Sequence, residues 1–169
     1  LGGNALSLKV VKKIFALKKR PLEKSLSVLV DQEWLGKLAY WEDDKINQII
    51  EDFWPGPLTL VLPARREIPK FLKGPNQTVA LRWSSSSVVQ EMIKLGECPL
   101  IGTSANLSGM PSCSSSAEVV EQFGDQTPLL VDSGVLPENP PTTLLDCTRT
   151  PFSFIRSGSI DQKILEDYI

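Results

Sequence analysis

PLIGTSANLSGMPS, residues 99–112, is the stretch that most restricts the fold of this 169-residue chain. Its apolar beginning, Leu100 and Ile101, stops at a glycine, and small hydroxyl and amide side chains follow. Such side chains bond readily to nearby backbone, and Gly109 and Pro111 are turn residues, so the stretch predicts a strand that leads into a tight, ordered loop. Small polar groups at the end of a strand lie where α/β proteins usually bind ligands. A surface turn without chemistry is the alternative interpretation of this loop.

Hydrophobic periodicity predicts helices and strands on both sides of this stretch. Apolar residues at helical spacing, with Asn4 or Ser7 as the first cap, predict helices over residues 7–18, 43–53, 84–95 and 116–123. Short apolar runs predict strands over residues 25–30, 58–62, 78–82, 100–101, 129–132, 143–146 and 152–156. Helices that alternate with short strands indicate an α/β class, and hairpin-like strands late in the chain indicate a mixed sheet.

Composition narrows the class of protein. The chain is 41% hydrophobic and 22% charged, which fits one soluble domain over residues 1–169. A net charge of −2 provides no global field that would attract nucleic acid. The sequence contains no histidine, which excludes Ser-His-Asp and Cys-His nucleophilic systems and the usual histidine-bearing zinc sites.

The cysteines and the hydropathy pattern indicate in which cellular compartment the protein is expected. Cys98, Cys113 and Cys147 are odd in number and widely spaced, which favours free thiols in an intracellular protein over a disulfide framework. No apolar stretch approaches the roughly 20 residues of a membrane span, and no secretory leader is evident. We therefore expect a cytoplasmic protein that does not bind a membrane.

A cluster of cations forms the second informative feature. Lys18, Lys19 and Arg20 precede Pro21, which forbids continuation of the first helix, and Lys24 follows. One interpretation is a solvated helix end, where cations oppose the helix dipole. The other is a phosphate clamp, in which arginine grips phosphate with its planar fork and lysine adds a point charge.

These two segments together resemble the YrdC family, the threonylcarbamoyl-AMP synthases. That family carries Lys-x-Arg before proline, matched by Lys18 to Pro21, and Thr-Ser-Ala-Asn-x-Ser-Gly, matched by residues 103–109. Further matches follow the family order: residues 54–62 (WPGPLTLVL), residues 78–82 (TVALR), and residues 142–146 (TTLLD) with 155–158 (IRSG). The resemblance covers nearly the whole chain and implies a twisted mixed sheet with surrounding helices and a concave, basic cavity.

The resemblance also implies roles for individual residues. Lys18 and Arg20 would be catalytic, because they would neutralise charge on the phosphates of ATP. The residues expected to bind ATP are Arg20, Lys24, Thr78, Asn106, Ser114 and Arg156. Those expected to bind L-threonine are Arg82, Ser104 and Thr142. The residues expected to line one common cavity are Lys18, Arg20, Arg82, Ser104, Asn106 and Arg156. Mg²⁺ would accompany ATP, and no side-chain metal ligand is identified.

The implied activity is that of a nucleotidyltransferase. It would join L-threonine, bicarbonate or carbon dioxide, and ATP into threonylcarbamoyl-AMP with release of pyrophosphate, for threonylcarbamoyladenosine formation in tRNA. The partners would be these substrates and, beyond them, tRNA or other proteins of the modification pathway. The chain has no P-loop signature. Two alternatives stay open: a module that binds double-stranded RNA or tRNA without catalysis, and a YrdC-like module of a larger carbamoyltransferase of the hydrogenase-maturation type.

The sequence departs from the family pattern at several places. Leu29 stands where relatives often have histidine, and Ser84 to Ser87 replace a Pro-x-His-Pro segment. The usual Ser-Thr pair is Thr142-Thr143, a conservative change. The sequence begins after the family's opening strand, whose threonine helps to hold substrate, so we expect an N-terminally truncated form with impaired activity.

Overall fold

A mixed seven-stranded sheet organises the computed structural model, which describes residues 1–21, 25–127 and 129–169. The strands are β1 (Gly2–Asn4), β2 (Ser27–Val30), β3 (Leu58–Pro63), β4 (Thr78–Trp83), β5 (Leu100–Gly102), β6 (Thr143–Asp146) and β7 (Ser153–Arg156). Their order across the sheet is β1-β5-β2-β4-β3-β6-β7. The pairs β2/β4 and β3/β6 are parallel and the other neighbours are antiparallel. The expected α/β class with a mixed sheet is confirmed.

Capping side chains determine where the helices begin. The α-helices are α1 (Leu8–Lys18), α2 (Gln32–Leu38), α3 (Asp44–Phe53), α4 (Ser87–Gly96), α5 (Ser116–Phe123) and α6 (Gln162–Leu165). Short 3₁₀ turns occur at Lys70–Leu72, Pro75–Gln77, Gly124–Gln126 and Glu166–Tyr168. A serine or aspartate oxygen accepts an N–H of the first turn before every one of these α-helices. Ser7 is the cap of α1, so the alternative cap Asn4 is excluded.

Three elements were not predicted, and one predicted strand is absent. Strand β1 and helices α2 and α6 lack a strong periodic signal because they are short. The prediction of a strand over residues 129–132 is wrong, since this segment is exposed and pairs with no strand among the described residues. A side-chain bond holds its end beside the start of α5 instead, since Ser116 Oγ donates to Asp132 over 2.9 Å, and further along the chain the Leu136 N–H donates to Ser114 O.

The two faces of the sheet differ in burial, because successive side chains of a strand point to opposite faces. One face is apolar except for the buried Thr143, whose hydroxyl donates to Ile160 O, and it packs into a core cluster with residues of α1, α2 and α3. Its residues include Val28, Val30, Leu58, Leu60, Leu62, Val79, Leu81, Ile101 and Leu145. The opposite face, which we call the open face, is half-buried on strands β2 to β6 apart from the buried Thr59. It carries most of the polar side chains of the strands, among them Ser27, Thr59, Arg82 and Asp146.

Strand register arranges the open face in two rows that cross the sheet. The Arg82 row contains Leu100, Leu29, Arg82, Thr59 and Leu144. The Asp146 row contains Gly102, Ser27, Ala80, Val61 and Asp146. On each strand the two rows are two residues apart, so the rows run parallel to each other at a separation of about 6.6 Å.

Candidate functional site

A cavity of about 360 Å³ opens over the Asp146 row. Three arginines, Arg20, Arg149 and Arg156, line it together with Thr78. Among the lining residues that the structure describes, Asp146 is the single carboxylate. An excess of guanidinium groups around a concave space suits an anionic ligand, and arginine is the side chain that matches phosphate geometry.

Arg20 reaches this cavity because α1 ends immediately before it. Lys19 adopts a left-handed conformation as the C-cap of the helix, which turns the chain towards the sheet. The Arg20 NH2 group donates a hydrogen bond to Ser25 O over 2.8 Å. Partial burial lowers the pKa of the Arg20 guanidinium from its usual value, yet the group stays cationic at neutral pH.

Arg156 connects the cavity with Thr142. Its Nε and NH2 groups donate to Thr142 O over 3.1 and 2.8 Å, and NH2 also lies 3.0 Å from Thr142 Oγ1. The Thr142 hydroxyl in turn shares a 2.9 Å hydrogen bond with the Thr59 hydroxyl. Gly158 permits this arrangement, because a Cβ at that position would lie 2.2 Å from Pro141 O. The IRSG segment therefore lies against the start of β6.

Arg82 occupies the open face beside Leu29 and Thr59. Its Nε donates to Gly56 O over 3.0 Å, and the Gly56 N–H donates back to Trp83 O. The turn at residues 54–57 thus fixes the stem of the guanidinium. Within the described part of the chain, the NH1 and NH2 groups of Arg82 make no hydrogen bond. Burial lowers the pKa of Arg82 below its usual value, and this desolvation strengthens a charge-assisted contact with a carboxylate.

Lys18 is buried and anchors the loop that follows β5. Its ammonium donates to Ser104 O over 2.6 Å, and to Asn106 O and Asn106 Oδ1 over 2.8 Å each. An ammonium has three N–H donors, so the loop uses all of them. The geometry therefore favours a positioning role for Lys18 over the direct phosphate contact that the resemblance implies.

The loop itself is ordered by its own side chains. Asn106 Oδ1 also accepts from the Ser104 hydroxyl, and Asn106 Nδ2 donates to Met110 O, each over 2.6 Å. Backbone bonds add to this network, from the Ser108 N–H to Lys18 O and from the Cys113 N–H to Ala105 O. The prediction of a strand that leads into a tight, ordered loop is confirmed.

Replacing Lys18 with methionine should destabilise the fold by about 1–3 kcal/mol, because three oxygens of the loop lose their donor while the side-chain volume is kept. Denaturant unfolding would measure this change, and limited proteolysis should show faster cleavage within residues 103–112. Lys13→Met, an exposed position of the same helix, is the matched control. Unchanged stability and unchanged cleavage would contradict the anchoring role.

The ionisation of Lys18 makes a second, independent prediction. Burial, together with the charge of Arg20, lowers the pKa of Lys18 from 10.5 to about 8. Between these two values the unfolded chain holds a proton that folded Lys18 has released, so the Lys18 contribution raises the free energy of unfolding as pH increases. The stability difference between wild type and Lys18→Met should therefore grow from pH 8 to 10.5. The stability difference would shrink across this window if deprotonated Lys18, which has only two N–H donors, lost more from its third hydrogen bond than it gained by no longer burying a charge.

The expected site residues do not all lie together. Of the six expected to line one cavity, Arg20 and Arg156 line it, and Thr78 joins them. Lys18, Ser104 and Asn106 bond to one another and Arg82 lies in the neighbouring row, so these four residues do not line this cavity, and the placement of all six around one substrate site stays a prediction. Ser114 lies in a separate cavity of about 170 Å³, where its N–H and hydroxyl both donate to Glu118. Lys24 lies outside the described residues.

The departures from the family pattern have structural explanations. The Leu29 side chain covers Gly102, where a Cβ would lie 2.6 Å from it. In the serine segment, Ser84 is buried and its hydroxyl accepts from the Ser86 N–H, while Ser86 caps α4. These serines therefore build the start of a helix in place of the proline-rich turn.

Sequence reasoning missed Asp146 and Arg149 as residues of the cavity. Asp146 stands at the end of a quoted motif, and a threonine follows two residues later. That spacing is typical of an Asx turn, which indicates an ordered carboxylate at the end of a strand. No comparable signal marks Arg149.

Two further searches concern metals and membranes. Within residues 1–21, 25–127 and 129–169, no group of three or more acidic or cysteine side chains is arranged to hold a metal ion. In the same ranges, no helix combines the length and the hydropathy needed to cross a bilayer.

Comparison with known proteins adds evidence on the family. The model of the Sua5/YciO/YrdC family, described as "Telomere recombination", matches residues 1–158. A threonylcarbamoyl-AMP synthase of Pyrococcus abyssi (strain GE5 / Orsay) is 35% identical over 100% of this chain and 50% of its own length. One from Photorhabdus laumondii is 38% identical over 135 residues, 77% of this chain and 70% of that protein.

A solved structure agrees with these relatives. The crystal structure of Pyrococcus abyssi Sua5 complexed with L-threonine matches with a TM-score of 0.91 and 34% identity. The match covers 99% of this chain and 50% of that one. The present chain thus spans about half the length of its Pyrococcus relative.

Proposed function

Because the chain belongs to the Sua5/YciO/YrdC family, as its motifs indicated, we propose that it forms threonylcarbamoyl-AMP from L-threonine, bicarbonate or carbon dioxide, and ATP. The observation that supports this most directly is that the open face contains two adjacent regions with different chemistry. Arg82 and Thr142 offer a guanidinium and a hydroxyl for an amino acid, with Thr59 holding the Thr142 hydroxyl from below, and the arginine-lined cavity beside them suits a nucleotide. Arg156 contacts both regions, so two substrates could meet there.

The proposed reaction needs positioning and charge stabilisation. A C–N bond first forms between the threonine amine and bicarbonate, with loss of water, or carbon dioxide, with loss of a proton, which gives a carbamate. A carbamate oxygen then attacks the α-phosphorus of ATP, the bond from that phosphorus to the β-phosphate oxygen breaks, and pyrophosphate leaves. Arg20 and Arg156 stabilise negative charge on the phosphates, and Arg82 holds the threonine carboxylate. No covalent nucleophile is required.

Mg²⁺ forms part of this proposal as a companion of ATP. The cavity offers one carboxylate among its described lining residues, which fits an ion held chiefly by substrate phosphates and water rather than by a protein cage. When bound, the ion would neutralise phosphate charge. The product would serve threonylcarbamoyladenosine formation in tRNA, in the cytoplasm and with other proteins of that pathway.

Pyrophosphate release tests the proposal. We expect the full-length protein to release pyrophosphate only when ATP, L-threonine and bicarbonate are all present. Release that is indifferent to threonine would contradict the proposal. Tight binding to duplex RNA that weakens steeply with salt, without pyrophosphate release, would favour an RNA-binding module instead.

A further inference from the structure

Asp146 presents a fixed hydrogen-bond acceptor to the cavity. The Thr148 N–H and hydroxyl both donate to Asp146 Oδ1, over 2.9 and 2.6 Å. This Asx turn sets the plane of the carboxylate. The other oxygen, Oδ2, receives no hydrogen bond from any residue that the structure describes, and Asp146 lines the cavity.

The neighbours of Asp146 form an apolar floor. Val61 lies directly beside it in the Asp146 row, and Ala80 is the next residue along that row. Leu144 and Ile155 also line the cavity. Apolar side chains next to a convergent polar group are a usual setting for a planar ring, because the apolar side chains supply stacking area and the polar group bonds to the ring edge.

A carboxylate disfavours the phosphate end of a nucleotide. Like charges repel in a partly desolvated cavity, and a carboxylate accepts hydrogen bonds but donates none. The arginines provide the favourable environment for phosphates. Asp146 is therefore suited to a neutral hydrogen-bond donor of the nucleotide, and the apolar side chains beside it favour the base over the ribose.

We propose that Asp146 selects the base: its Oδ2 accepts a hydrogen bond from the exocyclic amino group of a 6-aminopurine that lies over Val61 and Ala80. This inference rests on the proposed function, since it concerns how ATP is recognised. Asp146 is a specificity-determining residue in this account and takes no part in the chemical step.

The variant Asp146→Asn isolates this contact. Asparagine supports the same Asx turn through its Oδ1, so the bonds from Thr148 persist. Its amide nitrogen replaces Oδ2, which converts the acceptor facing the cavity into a donor. ITP is the matched ligand, because it carries an oxygen acceptor in place of the 6-amino group and the same ribose and triphosphate.

Equilibrium binding of ATP and ITP tests the proposal in the presence of Mg²⁺. Wild type should bind ATP about fivefold more tightly than ITP, and Asp146→Asn should reverse this order. Asp125→Asn, at an exposed position, is the matched control and should leave the ratio unchanged.

Three results would overturn the assignment. Equal loss of ATP and ITP in Asp146→Asn would place the carboxylate at the ribose, the phosphates or the metal ion, which both ligands share. Equal affinities in wild type would contradict it even if the variant did not fold. No ATP binding by wild type would overturn the proposed function along with the base contact, which distinguishes the two failures.

Discussion

Replacing Arg82 with alanine should raise the L-threonine concentration needed for half-maximal pyrophosphate release by about ten- to hundredfold, the loss of one charge-assisted contact of about 1.5–3 kcal/mol. The ATP requirement should change little, because Arg82 lies outside the arginine-lined cavity. Arg82 is half-buried and held at Nε by Gly56 O, so its terminal nitrogens are already oriented for a carboxylate. Steady-state kinetics with each substrate varied separately measures both quantities.

Two comparisons separate this role from a structural one. Arg82→Lys should restore little, because a point charge cannot reproduce the two-pronged contact of a guanidinium. Arg65→Ala is the matched control, since exposed Arg65 also donates its Nε to a glycine carbonyl, Gly36 O, over 2.6 Å. If the requirements for threonine and ATP rose equally, or if the melting temperature fell well below that of Arg65→Ala, Arg82 would have a structural role instead of a role in threonine binding.

Arg20→Ala should weaken ATP binding by about 2 kcal/mol, or more than tenfold, because a partly desolvated guanidinium contributes strongly to phosphate binding. Threonine binding should be unaffected, since Arg82 and Thr142 lie elsewhere on the open face. Isothermal titration calorimetry with ATP gives the affinity, and thermal unfolding reports the fold.

Lys19→Gln is the charge-matched control for Arg20→Ala. Lys19 is exposed, and its replacement removes one positive charge from the same helix end. ATP affinity should stay close to that of wild type in this control. If both variants weakened ATP binding equally, the cations at the end of α1 would act only through their long-range field. If neither variant weakened ATP binding, these cations would form a solvated helix end.

The main helices and strands could be predicted because their signals are local. Ser7 and Pro21 bracket α1, and the alternation of residues 78–82 identifies β4. Strand β1 carries no such signal: Gly2–Asn4 becomes a strand only because the edge of β5 pairs with it. Residues 129–132 show the converse, since this segment of strand-forming residues is irregular where no strand of the described chain pairs with it.

The site was harder to predict than the elements that carry it. Motifs placed Arg20, Arg82 and Ser104 near a ligand, but the rows of the open face depend on register between strands that are distant in sequence. Asp146 lies beside Val61 only through such pairing. The burial of Lys18 is likewise tertiary, because its partners lie more than eighty positions further along the chain.

The interleaved strand order has a consequence for folding kinetics. Gly2 pairs with Gly102 and Ser27 pairs with the same residue, while Leu58 pairs with Thr143, so closing the sheet requires contacts across most of the chain. Such topologies fold slowly because large loops must close before their contacts stabilise the product. The Arg82 row and the Asp146 row both run across β3, β4 and β6, so neither row can form or unfold by itself. We expect the two binding regions to appear in one cooperative, late step, with no half-built intermediate that binds a single substrate.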